Sequence, residues 1–266
     1  MEINRIRCKS ILSKTGLYGV DYSANPYIGC SHSCAYCYAV FMKKFTGHED
    51  EWGSFVDVKM NAPELLKEEV KKKKCGSVLL SSVTDPYQPA EKDYKISREL
   101  LDILEKNGFS VSVLTKNSLV LRDLDILKKF DHGKLSVGFT VNSVDERDTR
   151  IWEPGASSFE ERLEALEKLH SENIPTYLHV GPWLEGITNL KQILDRTEDI
   201  IQEFQVENMN TTRKDEILDT VRKNYPDLEQ RYRKTVSDPK KHNQRLKKEV
   251  EDLRKRSRVP IKVYID

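Results

Sequence analysis

Short apolar runs and helix-spaced stretches alternate along the chain from residue 63 onward. Pro63 opens a helix-compatible stretch over 64–70, a position where the missing N–H needs no partner. Residues 77–81 form a short apolar run and predict a buried strand. A helix is predicted over 97–104, with Ser97 as its cap and Asn107-Gly108 as its stop. The alternation continues with a strand at 110–115, a helix at 121–130 and a strand at 135–141. A helix over 159–170 has apolar positions at Leu163, Leu166 and Leu169. Then come a strand at 174–180, a helix at 190–201 and a strand at 203–206. Such alternation with short connections predicts an α/β protein with a parallel sheet, open or curled towards a barrel. The strand runs are nearly continuous in apolar or small residues, so both faces of the sheet are expected to be covered. No repeat of fixed period is visible.

The last quarter of the chain reads differently. Residues 213–257 are charged and helix-compatible, broken at Pro226 and Pro239, and a strand-like run closes the chain at 259–265. The expected organisation is a core over 1–210 and a charged helical extension over 211–266 packed on it. Charge follows the same division. Residues 211–266 hold 17 Lys+Arg and 10 Asp+Glu, a net +7, against 27 and 33, a net −6, in the remainder. A basic tail of this kind can meet phosphate, although its many acids favour an ordinary solvated helix face.

Hydrophobic residues make up 38% and charged residues 33% of 266, a balance that supports a sizeable core. No run approaches the roughly 20 apolar residues of a membrane span, and residues 1–7 lack the apolar centre of a signal peptide. The expected setting is the reducing cytoplasm, with no membrane partner. Five cysteines, an odd number, do not form a disulfide framework.

Three of the five stand together as Cys30-Ser-His-Ser-Cys34-Ala-Tyr-Cys37. Three close thiolates suit a metal or cluster. A structural zinc takes four protein ligands, and the candidates for a fourth are His32, Cys8 and Cys75. A cubane iron–sulfur cluster on three cysteines keeps one iron open to another molecule. The zinc alternative would make the chain a nucleic-acid-binding protein that grips phosphate with its tail.

The segment Asn25-Pro-Tyr-Ile-Gly-Cys-Ser-His-Ser-Cys-Ala-Tyr-Cys-Tyr-Ala39 resembles the cluster loop of radical S-adenosylmethionine (SAM) enzymes. It is most similar to the branch related to spore photoproduct lyase. The resemblance continues in order through 58–66, Ser82-Val-Thr-Asp-Pro-Tyr-Gln-Pro-Ala-Glu91, 113–118, 121–125, 137–140, Glu153-Pro-Gly-Ala156 and 180–182. It covers roughly 8–210 and leaves the tail uncovered. It implies a partial (β/α)6 barrel of the TIM type, and a [4Fe–4S] cluster on Cys30, Cys34 and Cys37. SAM would complete the shell of the fourth iron. A flavodoxin- or ferredoxin-type electron donor is implied, and reductive cleavage would yield a 5′-deoxyadenosyl radical.

The same resemblance places Tyr36 beside the adenine, with loop packing as its alternative. It places Thr84 and Asp85 near the cofactor's amine or ribose, where the alternative is an Asx-turn into Pro86. Lys116 would meet the cofactor's carboxylate, and Asn142 and Ser143 its ribose or carboxylate. Glu153, Glu207 and Asn208 line the substrate pocket or cap loops. His32 is expected beside the cluster or in solvent, without being a ligand. One position departs from the lyase. The lyase carries a hydrogen-donating cysteine two residues before the position matching Thr84, and this chain has Ser82 there. The substrate is therefore left open, with nucleic acid among the candidates.

Overall fold

A computed structural model describes residues 1–17 and 19–265. Eleven strands appear among them: β1 (Glu2–Ile6), β2 (Leu12–Lys14), β3 (Tyr22–Ala24), β4 (Tyr27–Ile28), β5 (Phe55–Lys59), β6 (Ser77–Leu80), β7 (Ser110–Thr115), β8 (Leu135–Thr140), β9 (Thr176–Val180), β10 (Glu203–Glu207) and β11 (Ile261–Tyr264). The main sheet runs β11-β10-β9-β8-β7-β6-β3-β2. Every neighbouring pair in it is parallel except β2 with β3. The order is open, as in a partial barrel, because β2 and β11 form free edges. A second sheet, β1-β5-β4, was not signalled by any periodicity before residue 63.

Helices cover one face of the main sheet. Ala62–Lys72, Ile96–Lys106, Phe159–Ser171 and Leu190–Thr197 bury leucines and isoleucines against Val78, Val113, Val137, Leu178 and Phe204. The other face is wetter than the apolar runs suggested. Burial alternates along β6, β7 and β10, so Ser112, Gln205 and Glu207 stand between buried neighbours. An open, curved sheet covers only its convex side with helices, and its concave side is left for polar groups.

Two local expectations are corrected. Ser97 does not cap its helix. It lies inside the first turn, and the buried carboxylate of Glu91 receives the N–H of Ser97 at 2.9 Å and of Arg98 at 3.2 Å. The helix expected over 121–130 is a 3-10 stretch, Ser118–Asp123, followed by a single turn, Leu124–Leu127. There Asp123 is held by its neighbour Arg122 and, across the fold, by Arg98, while Arg122 also reaches Glu91.

The tail folds as Lys214–Asn224, Glu229–Ser237 and Pro239–Arg254, with Pro226 opening a short 3-10 turn and Pro239 starting the last helix. It then returns to the sheet, where β11 lies parallel to β10. Arg222 and Arg233 pair with acids on their own helices, and Lys241 and Lys255 make local pairs with Asp238 and Asp252 at the two ends of the last helix. Among the described residues no helix is long and apolar enough to cross a membrane.

Candidate active site

The cysteine loop leaves β4 through Gly29, whose φ is +79°, and crosses the carboxyl ends of the parallel strands. Ser33 N–H bonds Cys30 O at 3.3 Å and Cys37 N–H bonds Cys34 O at 3.1 Å. Two outside segments hold this loop. Gln88 accepts from Ser31 N–H at 3.0 Å, and Thr84 Oγ1 donates to Gly29 O at 2.6 Å. From the other side, Ala35 N–H bonds Trp152 O at 3.0 Å and Gly155 N–H bonds His32 O at 3.1 Å. The contact at Gly155 is backbone on backbone, and a Cβ there would stand 2.3 Å from Ser31 O. Gly155→Ala is therefore expected to cost about 1–3 kcal/mol, read as a lowered urea midpoint, with displacement of the cysteine loop.

A cleft with an empty volume of about 910 Å³, its open mouth included, lies over this loop and the strand ends. Cys30, Cys34 and Cys37 line it, with Tyr36, Thr84, Asp85 and Lys116. The structure thus gathers all three thiols and four of the six expected cofactor residues. Asn142 and Ser143 lie elsewhere. Asn142 is buried and lines a smaller adjoining pocket, where its side chain has no hydrogen-bond partner among the described residues. Ser143 donates to Asp148 Oδ2 at 2.9 Å and accepts from Asp145 N–H, so it organises the turn into the helix Glu146–Trp152.

Asp85 is the best-supported group in the cleft. It accepts from Tyr87 N–H at 2.8 Å, Thr115 Oγ1 at 2.7 Å and Lys116 N–H at 2.8 Å. The first of these is the Asx-turn. His32 Nδ1 lies 3.3 Å from Asp85 Oδ2, an ionic contact without hydrogen-bond alignment. His32 is buried, not in solvent. Burial favours its neutral form, but Asp85 and Cys30 outweigh this and push its pKa up to about 10. Burial works to raise the pKa of Asp85, and His32, Thr115 and Lys116 outweigh it and hold the carboxyl down at about 2.

A depressed carboxyl pKa stabilises the fold above the unfolded value, near 3.8, and this contribution fades as pH falls through about 2. Asp85→Asn is expected to lose roughly 2–3 kcal/mol at neutral pH. The gap between wild type and variant should close from pH 4 downward; a gap of constant size in urea titrations would contradict this.

Lys116 directly follows β7, with its Nζ 5.9 Å from the centroid of the Tyr36 ring. Burial disfavours its charge, but Cys34, Glu153 and Asp85 keep it cationic, with the pKa raised. Tyr36 donates its hydroxyl to Glu153 Oε1. Glu153 is itself buried beside Arg162, whose Nη2 is 2.6 Å from Glu153 Oε2 without hydrogen-bond alignment. Arg162 also donates to Thr140 O at 2.6 Å and Ser157 O at 2.8 Å. Glu153 is therefore an anchor for Tyr36 from behind the cleft wall.

Several cleft residues escaped the sequence reading. Ser81 is buried at the end of β6 with φ +71° and an unpartnered Oγ. His179 stands at the end of β9 with Glu207 and Asn208 across from it. Trp152, behind Tyr36, stacks on Tyr225 and Tyr232 of the tail at 6.2 and 6.4 Å between centroids. No spacing rule links these positions, because they meet only across strands and through the tail.

A family model described as the radical SAM superfamily matches residues 24–197, a span that includes the cysteine loop and the strand ends around it. The chain belongs to the radical SAM superfamily. This makes it a radical SAM enzyme, in a family whose members use SAM and an iron–sulfur cluster. A protein of Methanocaldococcus jannaschii without an assigned function is 36% identical over 227 residues, 85% of this chain and 85% of its own length. The radical SAM Nα-GlyT isomerase of Pseudomonas phage M6 is 26% identical over 164 residues, 61% of this chain and 33% of that protein. The fold is similar to spore photoproduct lyase complexed with dinucleoside spore photoproduct, at a TM-score of 0.60 and 15% identity, over 84% of this chain and 66% of the lyase. It is also similar to Streptococcus suis SuiB bound to S-adenosylmethionine, at 0.54 and 14%, over 92% of this chain and 49% of SuiB.

Among the described residues no three His, Cys, Asp or Glu side chains stand ready to hold a single ion, and nothing favours the zinc alternative. The residues fit the radical SAM pair of cofactors on other grounds. Three thiols without disulfides share one cleft wall. Burial raises the pKa of both Cys34 and Cys37; at Cys34 the Glu153 carboxylate and then the other two cysteines add to the rise while Lys116 opposes it, and at Cys37 it is Cys30 that adds to it. A cluster would supply the charge balance that such thiolates lack. The Lys116 cation, half-buried in the cleft, and the unpartnered Ser81 Oγ offer polar contacts for a zwitterionic ligand.

Proposed function

We propose that this enzyme holds a [4Fe–4S] cluster on Cys30, Cys34 and Cys37, and binds SAM between that loop and the ends of β6 and β7. One observation carries the reading: three thiols outside any disulfide, two of them buried and Cys37 half-buried, line the same cleft as a lysine kept charged against burial. What the bound pair supplies is a 5′-deoxyadenosyl radical, formed when a low-potential donor of the flavodoxin or ferredoxin type reduces the cluster.

The chain's own residues bind and orient. Lys116 offers a cation to the carboxylate of the amino-acid moiety. Tyr36, fixed through Glu153 and Trp152, offers a rigid aromatic wall for the adenine. Thr84 and Asp85 act chiefly by bracing the loop, since their hydrogen bonds run to Gly29, Tyr87, Thr115 and Lys116. Ser82 lines the cleft and accepts from Asn25 Nδ2 at 3.2 Å. A serine O–H is too strong a bond to return a hydrogen atom as a thiol does, so the lyase's cysteine-dependent route is not the one proposed here.

Anaerobic reconstitution with iron and sulfide tests the proposal. About four irons per chain are expected, together with 5′-deoxyadenosine on adding dithionite and SAM. A protein that takes up no cluster, or takes one up and releases no 5′-deoxyadenosine, overturns it.

A further inference from the structure

β9 and β10 build the part of the cleft wall that carries Glu207 and Asn208, which the sequence reading set in the substrate pocket or in loop caps, and its side chains have no part in holding the cluster or SAM. His179 pairs in register with Gln205. Its Nδ1 lies 3.1 Å from Gln205 Oε1, and its Nε2 lies 3.1 Å from Glu207 Oε2. The Gln205 amide is not free to turn round. Its Nε2 donates to Glu203 Oε1 at 2.6 Å, and Lys262 Nζ holds the other oxygen of Glu203 at 2.5 Å. A carboxylate only accepts, so Gln205 must present its oxygen to the histidine. Glu207 likewise only accepts. Both neighbours present acceptor oxygens to the ring, and the two contacts fix its orientation from the edge strand inward.

This pair meets the cleft asymmetrically. The His179 side chain is 11% exposed and that of Glu207 is 36% exposed. What an incoming molecule touches is therefore a carboxylate oxygen whose position is set by the histidine behind it. Among the described residues lining the cleft, Lys116 is the one lysine or arginine. It stands on the cysteine-loop side, where the proposed function gives it to SAM. A phosphodiester would meet the Glu207 carboxylate here with no lysine or arginine beside it, and its charge would be repelled. A peptide amide brings N–H donors and no negative charge.

We propose that Glu207, oriented by His179, is a substrate-binding site for a peptide amide N–H. The inference rests on the radical SAM reading of the cysteine loop. It is tested on the anaerobically reconstituted protein with SAM bound, by equilibrium dialysis read by mass spectrometry. One pool holds capped tetrapeptide amides and the other holds single-stranded DNA decamers. The peptide pool is expected to be retained. Glu207→Gln and His179→Asn should each weaken retention at least fivefold, while iron content and SAM binding stay within twofold of wild type. Retention of DNA alone, retention of neither pool, or peptide retention unchanged in both variants overturns the site. Wild-type iron content and 5′-deoxyadenosine release, measured on the same samples, report separately on the cysteine loop. Glu207→Gln keeps the side chain's shape at a partly exposed position, so its melting temperature should match wild type.

Discussion

Cys34→Ala is expected to abolish 5′-deoxyadenosine formation and to drop bound iron from about four per chain to below about one. Cys34 is the thiol least able to be replaced. It is buried in the cleft wall beside Tyr36 and Trp152. Its burial raises its pKa well above that of a free thiol, and Lys116 opposes this rise. A thiolate there is therefore stable only with a cation to share its charge. The structural cost of the substitution is small, about 1 kcal/mol, because one sulfur is lost from a well-packed site. Apo forms of wild type and variant should unfold at similar urea concentrations. Iron uptake that survives the substitution would remove Cys34 from the ligand set.

Arg162→Met should have the largest effect on stability, about 3–5 kcal/mol, because it leaves the Glu153 charge buried without its partner. Both side chains are 2% exposed, so water cannot replace the lost contact. Lys116 would remain as a second cation near Glu153, and it limits the loss without repairing it. The damage should reach the cleft, since Glu153 also accepts from the Tyr36 hydroxyl. The double variant Glu153→Gln/Arg162→Met should recover much of the loss, because a neutral pair needs no counter-charge. Recovery with still-impaired SAM binding would show that the ion pair orients Tyr36 as well as supporting the fold. A single variant as stable as wild type would refute the buried-charge account.

The alternation of short apolar runs with helix-spaced stretches was enough to specify a parallel α/β sheet, because each period reports only on local backbone and the face it buries. The cysteine spacing was legible for the same reason: a loop of eight residues carries all three thiols, and their proximity needs no tertiary information. Thr84, Asp85 and Lys116 were placed at the cleft by the family resemblance, and their positions beyond predicted strands agreed with it, because parallel strands bring their carboxyl ends to one edge. Ser143 sits equally close to a strand end, yet its hydroxyl turns to Asp148, a choice made by the following helix and invisible to strand counting. The capping of Ile96–Lys106 by Glu91 in place of Ser97 is a similar case, since a buried carboxylate supplied by an Arg122 contact outcompetes a local hydroxyl.

What the sequence alone determined was therefore the family's loop, the order of the elements and the mouth at which they converge. Tertiary structure decided the rest. It made Glu153 a support for Tyr36 through Arg162, and brought Tyr225 and Tyr232 of the charged tail onto Trp152 behind the cysteine loop. It also set His179 against Gln205 and Glu207 across two strands. Glu153 reaches Tyr36 across 117 positions and His179 reaches Gln205 across 26, through burial and charge pairing that have no period along the chain.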